Sequence, residues 1–246
     1  MSTRETPTFD FDAAPDRRGG DSHKWNLFAD RAQDVIGAWV ADMDFLTPEP
    51  VLSAVRERLE GPALGYSEPS PELPELVIER LRRLYRWRVE REWLVQLPGV
   101  VPGLFGAARA LGEPGDSIVT QSPNYHYFFD AADYSRRELL RLAKRIVGGR
   151  WEMDFDHLAQ LARRKPRAFL LCNPHNPVGR ILTRPELERV AKYCLDAGMM
   201  ICADEIHADL LLDTDKPHIP IASLSPEVEQ ASITLVSPSK AFNMPG

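Results

Sequence analysis

The run Ser237-Pro238-Ser239-Lys240-Ala241-Phe242-Asn243 places an amine just after an apolar stretch, Ile233-Thr234-Leu235-Val236. An amine at the mouth of a buried strand loses solvation, which lowers its pKa and makes it a nucleophile toward carbonyls. Ser237 and Ser239 bring hydroxyls and backbone N–H groups that suit a phosphate. A motif this short fits a surface lysine equally well, and the parts upstream decide between the two readings.

Those parts are present. Gly99-Val100-Val101-Pro102 is a glycine-bearing turn at the start of a helix, where free N–H groups and the positive dipole end offer a phosphate seat. Ser122-Pro123-Asn124-Tyr125-His126-Tyr127 leaves the end of a strand with aromatic rings that can cover a flat ligand or serve as core. Asn173-Pro174-His175-Asn176-Pro177-Val178-Gly179-Arg180 fixes two amide side chains on extended backbone. Asp204-Glu205-Ile206-His207 puts an acid at the end of another apolar run. A carbonyl-reactive lysine beside a phosphate cup is what pyridoxal 5'-phosphate (PLP) requires.

The elements that must position these groups follow from periodicity. Short apolar runs predict strands at 36–41, 94–97, 118–121, 139–142, 168–172, 199–203 and 233–236. Thr47-Pro48-Glu49 and Ser70-Pro71-Glu72 predict helix starts, and Gly61-Pro62 breaks the first helix. Arg80, Arg82, Arg83 and Arg86 lie beside Glu72, Glu75 and Glu79 and read as a solvated face. A further helix is expected at 104–111. Asp154 caps the next helix, and Thr183-Arg184-Pro185-Glu186 is a capping box, with Gly198 ending its helix. Alternating strands and helices predict an α/β fold: a mostly parallel, doubly wound sheet with flanking helices. Ligands of such sheets collect beyond the C-terminal ends of the strands, where the polar clusters fall.

The chain has 246 residues, 43% hydrophobic and 27% charged, with a formal net charge of -6. The mild acidic excess argues against nucleic acid, and no apolar run approaches a membrane span. Residues 1–16 lack a signal-peptide core. Cys172, Cys194 and Cys202 lie in apolar segments without a CxxC pair and read as buried thiols. These features point to the cytoplasm. Residues 1–30, without periodicity, read as an extended arm packing on another surface such as a second subunit, or as a frayed terminus.

Taken together the blocks resemble fold-type I PLP enzymes of the class I/II aminotransferase superfamily, and within it the cystathionine β-lyase-like (cysteine-S-conjugate β-lyase) branch. The resemblance is carried by Asp16-Arg17-Arg18-Gly19 with Lys24-Trp25, Ala41-Asp42-Met43-Asp44-Phe45, Gly65-Tyr66, Gly99-Val100-Val101-Pro102, the Asn173 to Arg180 run, Asp204-Glu205-Ile206-His207 and Ser237 to Asn243. It implies that Lys240 holds PLP covalently, that Asp204 faces the pyridine nitrogen, and that Asn176 bonds the ring's 3'-oxygen with His207 nearby. Tyr125 would stack on the ring. Val100, Val101, Ser237 and Ser239 would seat the phosphate, with Tyr66 reaching a phosphate across a homodimer interface.

The implied reaction is cleavage of cystathionine or cysteine S-conjugates to thiol, pyruvate and ammonia. An aminotransferase or an inactive PLP-binding protein are the alternatives. The resemblance divides the chain into an arm with the start of small-domain elements, 1–45, and an incomplete PLP-binding large domain, 46–246. Relatives continue past Gly246 into a small domain with an arginine for the substrate carboxylate, so the chain is expected to be C-terminally truncated, with that domain absent.

Overall fold

The computed structural model describes residues 10–28, 30, 35–61, 63–66, 68–213 and 215–245. Residues 1–9 of the expected arm, Pro62 of the Gly-Pro break and Gly246 lie outside them. The chain separates into two units, one running to Pro69 and joined by the residues from Phe242, the other spanning Ser70–Ala241.

In the first unit, α1 (His23–Asn26) and α2 (Glu49–Leu59) flank the Asp42-Met43-Asp44 stretch. Arg17 Nη1 donates to both carboxylate oxygens of Asp42 at 2.9 and 3.0 Å. Lys24 Nζ donates to the Asp42 carbonyl at 2.8 Å and to Asp44 Oδ2 at 2.7 Å, and Trp25 Nε1 reaches Asp44 Oδ1 at 3.0 Å. Burial pushes the Asp44 carboxyl up, but the Lys24 and Trp25 hydrogen bonds outweigh it and hold the group below its usual range. Asn243, two hundred residues away in sequence, brackets Met43: its Oδ1 accepts from the Met43 N–H at 3.0 Å and its Nδ2 donates to the Met43 carbonyl at 3.2 Å.

Two expectations fail in this unit. No strand forms at 36–41: the segment has no ladder partner, and Ile36 is 80% exposed. The helix α2 starts at Glu49 with Pro48, not Thr47, at its cap position and no side-chain cap bond.

The second unit opens with α3 (Glu72–Tyr85), whose charged face is solvated as expected at Arg82, Arg83 and Arg86, with Arg82 paired to Glu79, whereas Arg80 is half-buried and pairs with Asp209 at 2.6 Å. A single 3-10 turn, Arg91–Trp93, and irregular backbone replace the strand expected at 94–97. The following helix, α4 (Val100–Ala110), begins four residues earlier than expected, so the Gly-Val-Val-Pro turn is itself the helix start. Then come β1 (Ser117–Ser122), α5 (Tyr127–Tyr134), β2 (Glu138–Val147), β3 (Arg150–Met153), α6 (Phe155–Ala162), β4 (Ala168–Cys172), α7 (Arg184–Ala197), β5 (Met200–Asp204), α8 (Pro226–Gln230), β6 (Ser232–Leu235) and α9 (Pro238–Ala241).

The sheet runs β3-β2-β1-β4-β5-β6. Every neighbouring pair is parallel except β2 with β3. Strand alternation feeds two cores. Val119, Leu142, Phe169, Leu171, Ile201 and Ala203 meet α6 and α7 on one face. Ile118, Leu170, Cys172, Cys202 and Leu235 meet α4 and α5 on the other. The doubly wound, mostly parallel α/β sheet is therefore present, and burial of both faces explains why β4 reads as an unbroken apolar run.

Local signals placed α6 and α7. The Asp154 side chain accepts from the His157 N–H at 3.0 Å, Thr183 and Glu186 form a capping box, and Gly198 (φ 69°) ends α7 in the left-handed conformation. The three cysteines are buried and unpaired, and burial pushes their thiols up, to about 12 for Cys194 and Cys202. No helix among the described residues is long and apolar enough to cross a membrane.

Candidate active site

The C-terminal ends of β1, β4, β5 and β6 bring the chemistry-bearing loops of the second unit to one sheet edge. Asp204 ends β5, in register with Cys172 of β4 and Leu235 of β6. It follows Cys202 on the α4/α5 face and is 6% exposed. Burial pushes its carboxyl up to about 6; the Ile206 N–H, which donates to Oδ1 at 3.0 Å, opposes this, Glu205 adds to it, and the Lys240 cation opposes it. Lys240 sits half-buried on α9, within electrostatic reach of both Asp204 and His207. Burial first and Lys240 second push the His207 imidazole down.

Tyr125 is held at the exit of β1 by a polar relay. Thr120 Oγ1 donates to the Leu170 carbonyl at 2.9 Å, Asn124 Nδ2 donates to Thr120 Oγ1 at 3.0 Å, and Asn124 Oδ1 accepts the Tyr125 N–H at 2.9 Å. The ring meets His126 and Tyr127 edge-on at 4.7 and 5.1 Å between centroids. Burial, then Tyr127 and Asp204, push its phenol up.

The residues expected to seat a phosphate lie on two chain segments. The α4 start carries no side-chain cap bond at Gly99, leaving the N–H groups of Val100 and Val101 for an outside acceptor. Close packing keeps this turn against the end of β6: a Cβ on Gly103 would stand 3.0 Å from Leu235 Cδ2 and 3.1 Å from Leu97 Cδ1. Two residues past Leu235, the Ser237 hydroxyl donates to Ser239 Oγ at 2.9 Å, and the Ser239 N–H donates back to Ser237 Oγ at 3.2 Å.

Asn176 lies half-buried in the loop after β4, whose first residue is pinned by the Asn173 N–H donating to the Asp204 carbonyl at 3.1 Å. Tyr66 belongs to the first unit, with its side chain fully exposed. Among the described residues no group of three or more His, Cys, Asp or Glu side chains could hold a metal.

Sequence reasoning gave Glu205 no role of its own and did not single out His218. Glu205 Oε2 pairs with His218 Nε2, Glu205 Oε1 accepts the Ile221 N–H at 3.1 Å, and the Glu205 N–H donates to the Leu235 carbonyl at 2.9 Å. This residue ties the loop after β5 to β6 and to the segment at 218–221, and so fixes where Asp204 stands. The only signal in the sequence was a charged residue directly beside the candidate acid.

The model of the aminotransferase class I and II family matches residues 34–246. Cystathionine beta-lyase PatB of Bacillus subtilis is 37% identical over 96% of this chain and 62% of its own length. The crystal structure of OvoB superposes with a TM-score of 0.89 at 41% identity, over 96% of this chain and 62% of that one. Cystalysin from Treponema denticola, described as containing a pyridoxal 5'-phosphate cofactor, gives 0.90 at 30% identity, over 97% and 61%. The chain thus spans about three-fifths of the length of the relatives it matches. A match covering most of the chain, on a sheet whose strand tips gather a buried acid, a lysine and an uncapped helix start, places it in the aminotransferase class I and II family.

Proposed function

We propose that this chain forms the cofactor-binding part of a PLP-dependent carbon–sulfur β-lyase that cleaves cystathionine or cysteine S-conjugates to thiol, pyruvate and ammonia. The observation that carries the reading is Asp204: a carboxyl buried at the sheet edge, held near 6 rather than near 4, with the Lys240 amine acting on it. Such an acid is short of a positive partner, and a ring nitrogen that can carry a proton supplies one. The residues present fit PLP on three further counts: a carbonyl-reactive amine at Lys240, uncapped N–H groups at Val100 and Val101 with the Ser237 and Ser239 hydroxyls for a dianionic phosphate, and the Tyr125 ring for a planar heterocycle.

When bound, PLP supplies an electron sink that stabilises negative charge at the Cα of the amino acid. This chain's own groups then do the rest. Asp204 fixes the orientation and charge of the ring nitrogen. Lys240 would hold the aldehyde, and its Nζ is the amine that would take a proton from the Cα of a bound amino acid as general base, a role typically worth 10²–10⁴-fold. Asn176 and His207 would bond polar edges of the ring, and the α4 start with the two serines would hold the phosphate. The similarity to PatB, named a cystathionine beta-lyase, supports the lyase branch. A cytoplasmic homodimer in which Tyr66 serves the partner's phosphate completes the proposal.

The test is direct. With PLP and L-cystathionine, the protein is expected to release homocysteine, pyruvate and ammonia in equal amounts, and Lys240→Ala none. Conversion of a keto acid to an amino acid without pyruvate release would assign the site to transamination instead.

A further inference from the structure

On the other face of the same sheet lies a second polar cluster. Val119, Leu142 and Leu171 pack into the core under α6 and α7. Gln121, Lys144 and Asn173 stand two residues further along β1, β2 and the exit of β4, so they share that face at its C-terminal rim. Asp204 lies on the opposite face with Cys202. His175 and Arg180 close the rim: they form an isolated antiparallel bridge, the His175 N–H donating to the Arg180 carbonyl at 2.8 Å.

Six nitrogens here are buried without a hydrogen-bond partner: Gln121 Nε2, Lys144 Nζ, Asn173 Nδ2, both ring nitrogens of His175, and Arg180 Nη1. The acceptors of the two amides are already used, Gln121 Oε1 by the Cys172 N–H at 2.8 Å and Asn173 Oδ1 by the Leu182 N–H at 2.9 Å. His175 faces the Pro123 carbonyl without the geometry of a full hydrogen bond. What remains is almost entirely donors. The charges are unbalanced as well. Arg180 Nη2 is neutralised by Glu186 at 2.7 Å, but among the described residues no carboxylate pairs with Lys144. Burial and then Arg180 push the Lys144 amine down to about 8, and burial and then Lys144 push His175 down to about 3. Unsatisfied buried donors and an unpaired buried ammonium are both costly.

We propose that Gln121, Lys144, Asn173, His175 and Arg180 enclose a small monovalent anion of the halide class. A halide only accepts, matching a set of buried donors on one rim, and it brings the negative charge that Lys144 lacks. A water would have to place two hydrogens of its own, with one ring nitrogen of neutral His175 the sole free acceptor among the six atoms, and would leave the charge uncompensated.

The experiment is thermal unfolding at fixed ionic strength with gluconate exchanged for chloride, on wild type and Lys144→Met, paired with the anomalous signal of a crystal grown in bromide. Ligand linkage predicts a saturable rise in the wild-type midpoint of roughly 3 °C or more and a flat response for Lys144→Met. It also predicts a bromide peak among the five side chains. Equal responses of the two proteins, or a bromide map with no peak at this rim, would overturn the proposal. If Lys144→Met does not fold, the bromide map on wild type decides alone.

Discussion

Glu205 Oε2 lies 2.8 Å from Nε2 of His218, with both side chains almost wholly buried. The pair closes a thirteen-residue excursion from the tip of β5 and holds the residue next to the candidate acid. Breaking a buried pair by deleting one partner leaves the other uncompensated. Glu205→Ala also strands the Ile221 N–H. We expect it to cost about 3–5 kcal/mol in urea unfolding; a loss under about 1 kcal/mol would mean that the pair does not anchor this loop.

Asp204 makes stability depend on pH in a set direction. Its folded pKa, about 6, lies above the ordinary aspartate value of 3.8. The folded state therefore holds the proton more tightly than the unfolded chain. The contribution is fully present below about pH 4 and is lost as pH rises through about 6, amounting to about 3 kcal/mol. In cofactor-free protein, the stability difference between wild type and Asp204→Asn should shift against wild type over that window. A pH-independent difference would contradict the burial argument.

The helix starts read from sequence carry their own energies. Thr183→Ala removes the hydroxyl half of the α7 capping box, in which the Thr183 N–H and hydroxyl both donate to Glu186 Oε2 at 2.8 Å. A loss of about 1 kcal/mol is expected in chemical denaturation. The same readout on Thr47→Ala should show almost no change, because Thr47 does not cap α2.

For the phosphate seat, Ser239→Ala is expected to weaken PLP binding about tenfold, the worth of one hydrogen bond to a charged group. Fluorescence titration measures it, and inorganic phosphate should compete less well against the variant. Unchanged affinity for both would remove Ser239 from the seat.

These positions also mark what the sequence made legible. Asp154, Thr183 and Gly198 act over three or four residues, so their signals survive without tertiary knowledge. Strands β4 and β5 were legible because both faces are buried and every position but the terminal Asp204 is apolar. Residues 36–41 and 94–97 have similar composition but no neighbouring strand, and an apolar run does not by itself name a partner. The gathering of Asp204, His207, Tyr125 and Lys240 followed from strand order, since each leaves the C-terminal end of a strand or the turn after it. The Glu205–His218 pair and the Lys144 rim were not legible. Each depends on which side chains meet across loops and neighbouring strands, a choice that sequence spacing does not encode.

Lys240 is the one amine proposed to take the cofactor. Adding PLP, reducing with borohydride and mapping the peptides by mass spectrometry locates the modified lysine. A pyridoxyl group on Lys240 alone, lost in Lys240→Ala, is the predicted result. A label spread over Lys165, Lys192 and Lys216, or none on Lys240, would contradict it.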